Sequence, residues 1–278
     1  MRPARTARGG LSARSPKPHH LNAGPSAPSL ARLRAEWAAR DEGAATAARA
    51  LPGLRVLRLD PVEALFSFIC SSNNNVARIT LMVDRLRAAL GEPLAGGSPL
   101  PAGLCADDVP RQHALEFNQR GALHRFPAVE ALAGASAEEL LSLGLGYRAR
   151  FVRGAARQLR EGGGRAWLEA LAAPACGRAT AEAELRRLPG VGPKVAACVA
   201  LLGLGHADAV PVDVHVARLA ARSLAPPPLA QRLRGGALTP RVHAEVGELF
   251  RERYGAFAGW AQTLLFAAER ERARPARR

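Results

Sequence analysis

The stretch Leu188-Pro189-Gly190-Val191-Gly192-Pro193-Lys194 decides how the chain is read. It lies between two segments whose apolar residues recur at helical spacing, and its two glycines let the backbone turn tightly between them. Pro193 follows at the position where a second helix would begin. The pattern predicts a helix–hairpin–helix, with the N–H groups that open the second helix facing outward, where a phosphate or other anion is favoured. Such a hairpin holds a nucleic-acid backbone without reading base sequence. A plain helix–turn–helix connection punctuated by Pro and Gly is the competing reading.

Outward from the hairpin the pattern stays helical. Upstream, Leu30, Leu33 and Trp37 fall at i, i+3, i+7. Asp60-Pro61-Val62-Glu63 supplies an N-cap acid, a proline at the first helical position and a glutamate at the third, ahead of the apolar run Ala64 to Cys70. Ser71-Ser72-Asn73-Asn74-Asn75 ends that helix and opens another, in which Ile79, Met82, Val83 and Leu86 recur. Ser136-Ala137-Glu138-Glu139 is a further capping box, and Thr239-Pro240 marks another start. Helices are predicted near 147–160, 165–172, 179–188, 193–204, 214–222, 240–253 and 257–271, and no alternating strand of useful length is found. The expected fold is all-α, with two helical subdomains and the hairpin at the cleft between them. The domain proper is expected over 29–271, with a Gly/Pro-rich loop or insertion over 91–125. A basic leader over 1–28, without acidic residues and rich in Arg, Ser, Pro and Gly, is expected to be disordered, and a basic tail covers 272–278.

The chain has 278 residues, long enough to bury a real core, and no run of about 18 apolar residues that would cross a bilayer as a helix. Its 39 basic and 24 acidic residues give +15. Residues 1–20 supply +5 and 270–278 supply +4, so the middle keeps +6, enough to favour a polyanionic partner. Only Lys17 and Lys194 are lysines among the 39. Lys194 is thus the one lysine in a segment that reads as folded, and a lysine amine, unlike a guanidinium, can lose its proton and act as a nucleophile. Cys70, Cys105, Cys176 and Cys198 have no metal-ligand spacing and read as free thiols of an intracellular protein.

Nineteen residues beyond Lys194, Asp213 sits in Val210-Pro211-Val212-Asp213-Val214-His215-Val216, placed to cap the next helix. A capping carboxylate is fixed and kept ionised, so the same group can stabilise positive charge developing on a sugar or help to deprotonate a nucleophile. His215 reads either as a phosphate donor or as a surface residue.

The segments LPGVGPK and VPVDVHVARLA resemble the helix–hairpin–helix DNA glycosylases that carry a Gly/Pro-rich loop and a distal aspartate. DPVEALFSFICSSNNNVARIT, LGLGYRARFV and YGAFAGWAQTLLF narrow the resemblance to the 8-oxoguanine DNA glycosylase branch, from about Leu30 to Arg270. It implies a bifunctional glycosylase and β-lyase of base excision repair that removes an oxidised purine opposite cytosine. Lys194 matches the nucleophilic lysine and Asp213 the catalytic aspartate. Asn73 matches the asparagine that fills the gap left by the extruded base, Arg78 and Arg148 the arginines that hold the orphaned cytosine, and Tyr147 a wedge beside it. Cys198 and Phe266 match residues that sandwich the flipped base, and Gln262 one that touches its Watson–Crick edge; from the residues alone, Cys198 and Phe266 read as core. His215 matches a phosphate-contacting histidine, Gly190 and Gly192 the DNA-gripping hairpin, and the carbonyls near Leu188 and Val191 a monovalent-ion site.

The resemblance implies duplex DNA containing an oxidised purine as partner, a monomer, no membrane association, and neither catalytic metal nor organic cofactor. Family members carry an N-terminal β-rich domain that helps to recognise 8-oxoguanine, and residues 1–28 do not read as one. Two alternatives therefore stand beside the first reading: a catalytically silent duplex-binding form and an abasic-site lyase. The DNA substrate and the basic tail suggest a nuclear location, while the Arg-rich leader also suits a mitochondrial address.

Overall fold

The computed structural model describes residues 28–94, 124–235 and 237–272. The leader and the tail fall almost wholly outside the described residues, as does most of the expected 91–125 insertion. Its flanks are held together, with Arg125 N–H donating to the Glu92 carbonyl at 2.9 Å.

The regular elements among the described residues are all helices, with no strand and one isolated β-bridge between Pro93 and His124. Helix α1 (Leu30–Arg40) is capped by the Ser29 hydroxyl and α2 (Glu42–Ala50) by the Asp41 carboxylate. Asp60 caps α3 (Pro61–Cys70), receiving the Val62 and Glu63 N–H groups at 2.9 and 3.1 Å, and also pairs with Arg165 at 2.6 Å. Asn75 caps α4 (Val76–Leu90). Next come α5 (Val129–Gly134), α6 (Ala137–Ser142, capped by Ser136), α7 (Arg148–Glu161), α8 (Gly164–Leu171) and α9 (Arg178–Leu185). Beyond the hairpin, α10 (Pro193–Val199) runs without a break into a π-helical turn, Ala200–Leu204. The chain ends in α11 (Val214–Ser223), α12 (Pro227–Gly235), α13 (Pro240–Tyr254) and α14 (Ala258–Arg272).

Two apolar cores organise these helices. The first is built from one continuous stretch, α3 to the π-turn, around Leu65, Phe66, Ile69, Leu86, Val152 and Leu168. The second joins Leu33 and Trp37 of α1 and Ala44 and Ala47 of α2 to Val216, Phe250 and Leu264 of the last four helices. A small cluster of Ala200, Leu201 and Ala209, with Trp260 packed on it, links them. The hairpin lysine sits among residues of the first core, which the chain leaves only after Leu204 to enter the second at Val210.

Four helices depart from expectation. EGAATAARA in α2 has only alanines to bury, so its pattern carries no large apolar stripe, and α5 is a single short segment. The triple proline at the head of α12 reads as a break, but proline is tolerated in a first helical turn, whose N–H groups need no intrahelical partner. The expected helix 193–204 is α-helical only to Val199. The π-turn that follows brings Gly203 against α3, where a Cβ would lie 2.9 Å from that of Ala64.

Candidate active site

Lys194 lies in the first turn of α10, half-buried, and reaches back to the C-terminal end of α3. Its Nζ donates to Ser71 Oγ at 3.3 Å and stands 5.4 Å from the centre of the Phe68 ring. Cys198, one helical turn further on, is 5% exposed. Burial pushes its thiol up to about 11, the charge of Lys194 and a hydrogen bond to it pull the other way, and the charge of Asp213 adds to the rise. Cys198 is therefore a neutral wall of the site at physiological pH and no thiolate nucleophile.

Asp213 does cap its helix: Oδ1 receives the N–H groups of His215 at 2.9 Å and Val216 at 2.8 Å. The residue before it is also anchored, with Val212 N–H donating to Nε2 of His243 on α13 at 3.3 Å. His243 borders a cavity of about 100 Å³ shared with Arg178, Glu182, Arg186 and Arg251. Burial, reinforced by the charges of Arg186 and Arg251, pushes its imidazole down to about 4, so it is neutral and free to accept that N–H.

From α14, Gln262 is 4% exposed and Phe266 is half-buried. The exposed ring of His215 meets Phe266 edge-on at 6.2 Å, and the Arg270 guanidinium stands 6.0 Å from the same ring.

A second group gathers at the α3–α4 turn. Asn73 is exposed and has φ of +45°, a left-handed conformation that asparagine tolerates better than most residues. It is not the helix cap: Asn75 takes that role, receiving the Arg78 N–H at 2.9 Å. Arg148 is 2% exposed and holds the turn from within, donating through Nε to the Ser72 carbonyl at 3.0 Å and through a terminal nitrogen to the Asn73 carbonyl at 2.9 Å. Tyr147 donates to the same Ser72 carbonyl at 3.0 Å, and its ring lies 4.4 Å from the Arg148 guanidinium. Arg78 is exposed on the first turn of α4.

In the hairpin the two glycines differ. Gly190 has φ of +81°, and a Cβ there would come within 2.7 Å of Phe151 Cβ, so only glycine fits. Gly192 is extended, with φ of −89° and ψ of −178°, so the turn does not require a glycine there. A Cβ at Gly192 would touch nothing within 4 Å among the described residues, which leaves the hairpin backbone open to a partner. The Leu188 carbonyl accepts the Val191 N–H at 3.2 Å, leaving one lone pair. Neutral carbonyls of this kind suit a monovalent cation in donor type.

The structure thus sets Lys194 against Cys198, with Asp213 near enough for its charge to be felt at Cys198 and His215 facing Phe266, and gathers Asn73, Tyr147 and Arg148 around one turn. The sequence reading missed Ser71, Phe68 and His243. Ser71 and Phe68 stand in the quoted SSNNN and FSFIC segments, but their approach to Lys194 spans 123 residues, and no local pattern reports it.

An all-α fold with two cores and a glycine hairpin seated on the first, carrying a lysine and followed by a helix-capping aspartate, is the architecture of a helix–hairpin–helix DNA repair domain. The family model for the HhH-GPD superfamily base excision DNA repair protein matches residues 66–231, and the chain belongs to that superfamily. It is 43% identical over 243 residues to the N-glycosylase/DNA lyase OGG1 of Arabidopsis thaliana, covering 87% of this chain and 59% of that protein. It is 34% identical to the N-glycosylase/DNA lyase of Saccharomyces cerevisiae, over 78% of this chain and 57% of the yeast protein. The chain therefore spans a little under three-fifths of the length of these curated relatives. The Clostridium acetobutylicum 8-oxoguanine glycosylase/lyase, solved with duplex DNA containing cytosine opposite 8-oxoG, shares the fold: TM-score 0.68, 23% identity, 88% of this chain and 71% of that one.

Proposed function

We propose that this chain is a bifunctional DNA glycosylase and β-lyase that excises 8-oxoguanine, or a related oxidised purine, opposite cytosine in duplex DNA. The observation that carries the reading is the meeting of Lys194, the one lysine among the described residues, with Cys198 and Asp213 where the two cores adjoin. The similarity to N-glycosylase/DNA lyases over most of the chain supports the same activity.

The chemistry follows from the groups present. The Lys194 amine, once it has given up its ammonium proton, attacks C1′ of the damaged nucleotide as the C1′–N9 bond breaks, and the base leaves with the bonding electrons and takes up a proton. Asp213, fixed in place by two N–H donors, stabilises the positive charge that builds on the sugar. Loss of the amine proton and opening of the C1′–O4′ bond give a Schiff base. Removal of a C2′ proton then expels the 3′ phosphate by β-elimination, and water hydrolyses the imine to free Lys194. Cys198, Phe266 and Gln262 are the proposed walls and edge of the base pocket; Phe266, half-buried, is the one with room to move. Asn73 and Tyr147 are the proposed occupants of the gap left in the duplex, and Arg78 and Arg148 the donors to the unpaired cytosine. Arg148 then has a double task, because its guanidinium also holds the Asn73 turn. The hairpin and His215 face the phosphates; a monovalent cation on the carbonyls of Leu188 and Val191 would add positive charge there, outside the chemical steps.

Borohydride trapping on a duplex with 8-oxoguanine opposite cytosine tests this. The expected outcome is a lesion-dependent covalent adduct that Lys194→Gln does not form. Trapping on an abasic-site duplex alone would reduce the function to a lyase, and trapping on neither by a folded protein would leave a duplex-binding domain.

A further inference from the structure

Besides Cys198, a residue at the C-terminal end of α3 meets the Lys194 amine. Ser71 ends α3, and its hydroxyl proton is already committed, donated to the Phe68 carbonyl at 2.7 Å. What remains on Ser71 Oγ is acceptor capacity, and Lys194 Nζ donates into it at 3.3 Å. The Phe68 ring closes the same side of the amine at 5.4 Å. A neutral amine has two N–H bonds and one lone pair. In the deprotonated amine, with one N–H held by Ser71, the other in reach of Cys198 and a ring face closing the α3 side, the lone pair points away from α3, toward the cleft where the charge of Asp213 is felt at Cys198.

We propose that Ser71 is the positioning residue of the Lys194 amine, its hydroxyl locked by the Phe68 carbonyl so that it accepts one N–H and turns the nucleophilic lone pair into the cleft. The proposal rests on the Schiff-base reading above. Ser71 touches no reacting atom of the DNA, so its removal should slow attack while leaving the grip on DNA unchanged. A misdirected nucleophile of this kind costs about 10- to 100-fold in rate.

The test is single-turnover trapping on abasic-site and 8-oxoguanine duplexes, alongside duplex affinity measured without reductant. Wild type, Lys194→Gln, Ser71→Ala, Ser71→Thr and Ser71→Val are compared. Threonine keeps the hydroxyl, and valine has nearly threonine's shape without it. Expected are a loss of about 10- to 100-fold in trapping rate for Ala and Val, a rate within about threefold of wild type for Thr, and affinities within about twofold for all. Should Ser71→Ala fail to fold, the Thr and Val pair decides, since their steric demands are alike. Equal rates for Thr and Val, or a rate loss matched by an affinity loss, would overturn the Ser71 role and leave the lysine chemistry standing. Absence of trapping by wild type itself would remove the Schiff-base reading, and Ser71's role with it.

Discussion

His243 makes a residue-scale point that local sequence could not carry. It serves as an acceptor for the Val212 N–H one residue before Asp213, and it can do so only while neutral. Its folded pKa near 4 lies below the ordinary 6.5, so between those values the unfolded chain binds a proton that the folded chain does not. The stability gained is complete above about pH 6.5 and is lost as pH falls toward 4, with an upper bound of about 3 kcal/mol. Arg186 and Arg251 work with burial to hold the imidazole neutral, while Arg178 and Glu182 share its cavity. Urea unfolding at pH 7 and pH 5 should therefore show wild type losing about 2 kcal/mol more than His243→Gln over that step. Equal losses would mean that His243 titrates as it does in the unfolded chain.

At the scale of the element, the cap that Asp213 supplies and the catalytic charge proposed for it can be separated by substitution. Asparagine caps a helix about as well as aspartate, whereas alanine removes the cap at a cost of about 1 kcal/mol. Asp213→Asn should melt near the wild-type temperature yet lose excision, and Asp213→Ala should lose both. Thermal melts beside trapping rates measure this, and unaltered turnover by the asparagine variant would exclude a role for the charge. The same helix starts show what the sequence exposes. Asp60-Pro61, Ser136, Thr239-Pro240 and the LPGVGPK hairpin are legible because each cap is a contact within a few residues. The Glu42–Ala50 helix is not, since burial of Ala44 and Ala47 depends on α14 lying over them. The site divides likewise: Lys194 and Asp213 stand out by type and place, while the Ser71 contact and the Arg148 clamp on the Asn73 turn exist only after distant segments meet.

At the scale of the whole molecule, the two cores need not fail together. Trp37 is 2% exposed and meets Tyr254 edge-on at 6.4 Å, so Trp37→Ala should cost the second core about 3–5 kcal/mol. The first core has no atom in that contact. Limited proteolysis of this variant should cut within 214–272 first, while peptides from 61–204 outlast them and abasic-site trapping declines with the lost segment. Simultaneous loss of both regions would show the Ala200–Leu201–Ala209 cluster to couple them into one cooperative unit.

The first core is one uninterrupted stretch, and the second waits for helices made last. During synthesis, then, α3 to the π-turn can condense as soon as residue 204 clears the ribosome, while α1 and α2, packed on each other, meet the rest of the second core only as α11 to α14 are translated. Lys194 belongs to the part that can condense first, whereas Val212, one residue before Asp213, is anchored only once His243 of α13 has been made. In a nascent chain stalled between those points the proposed nucleophile would be seated before the carboxylate proposed to serve it, so the order of synthesis would set the order in which the pair assembles.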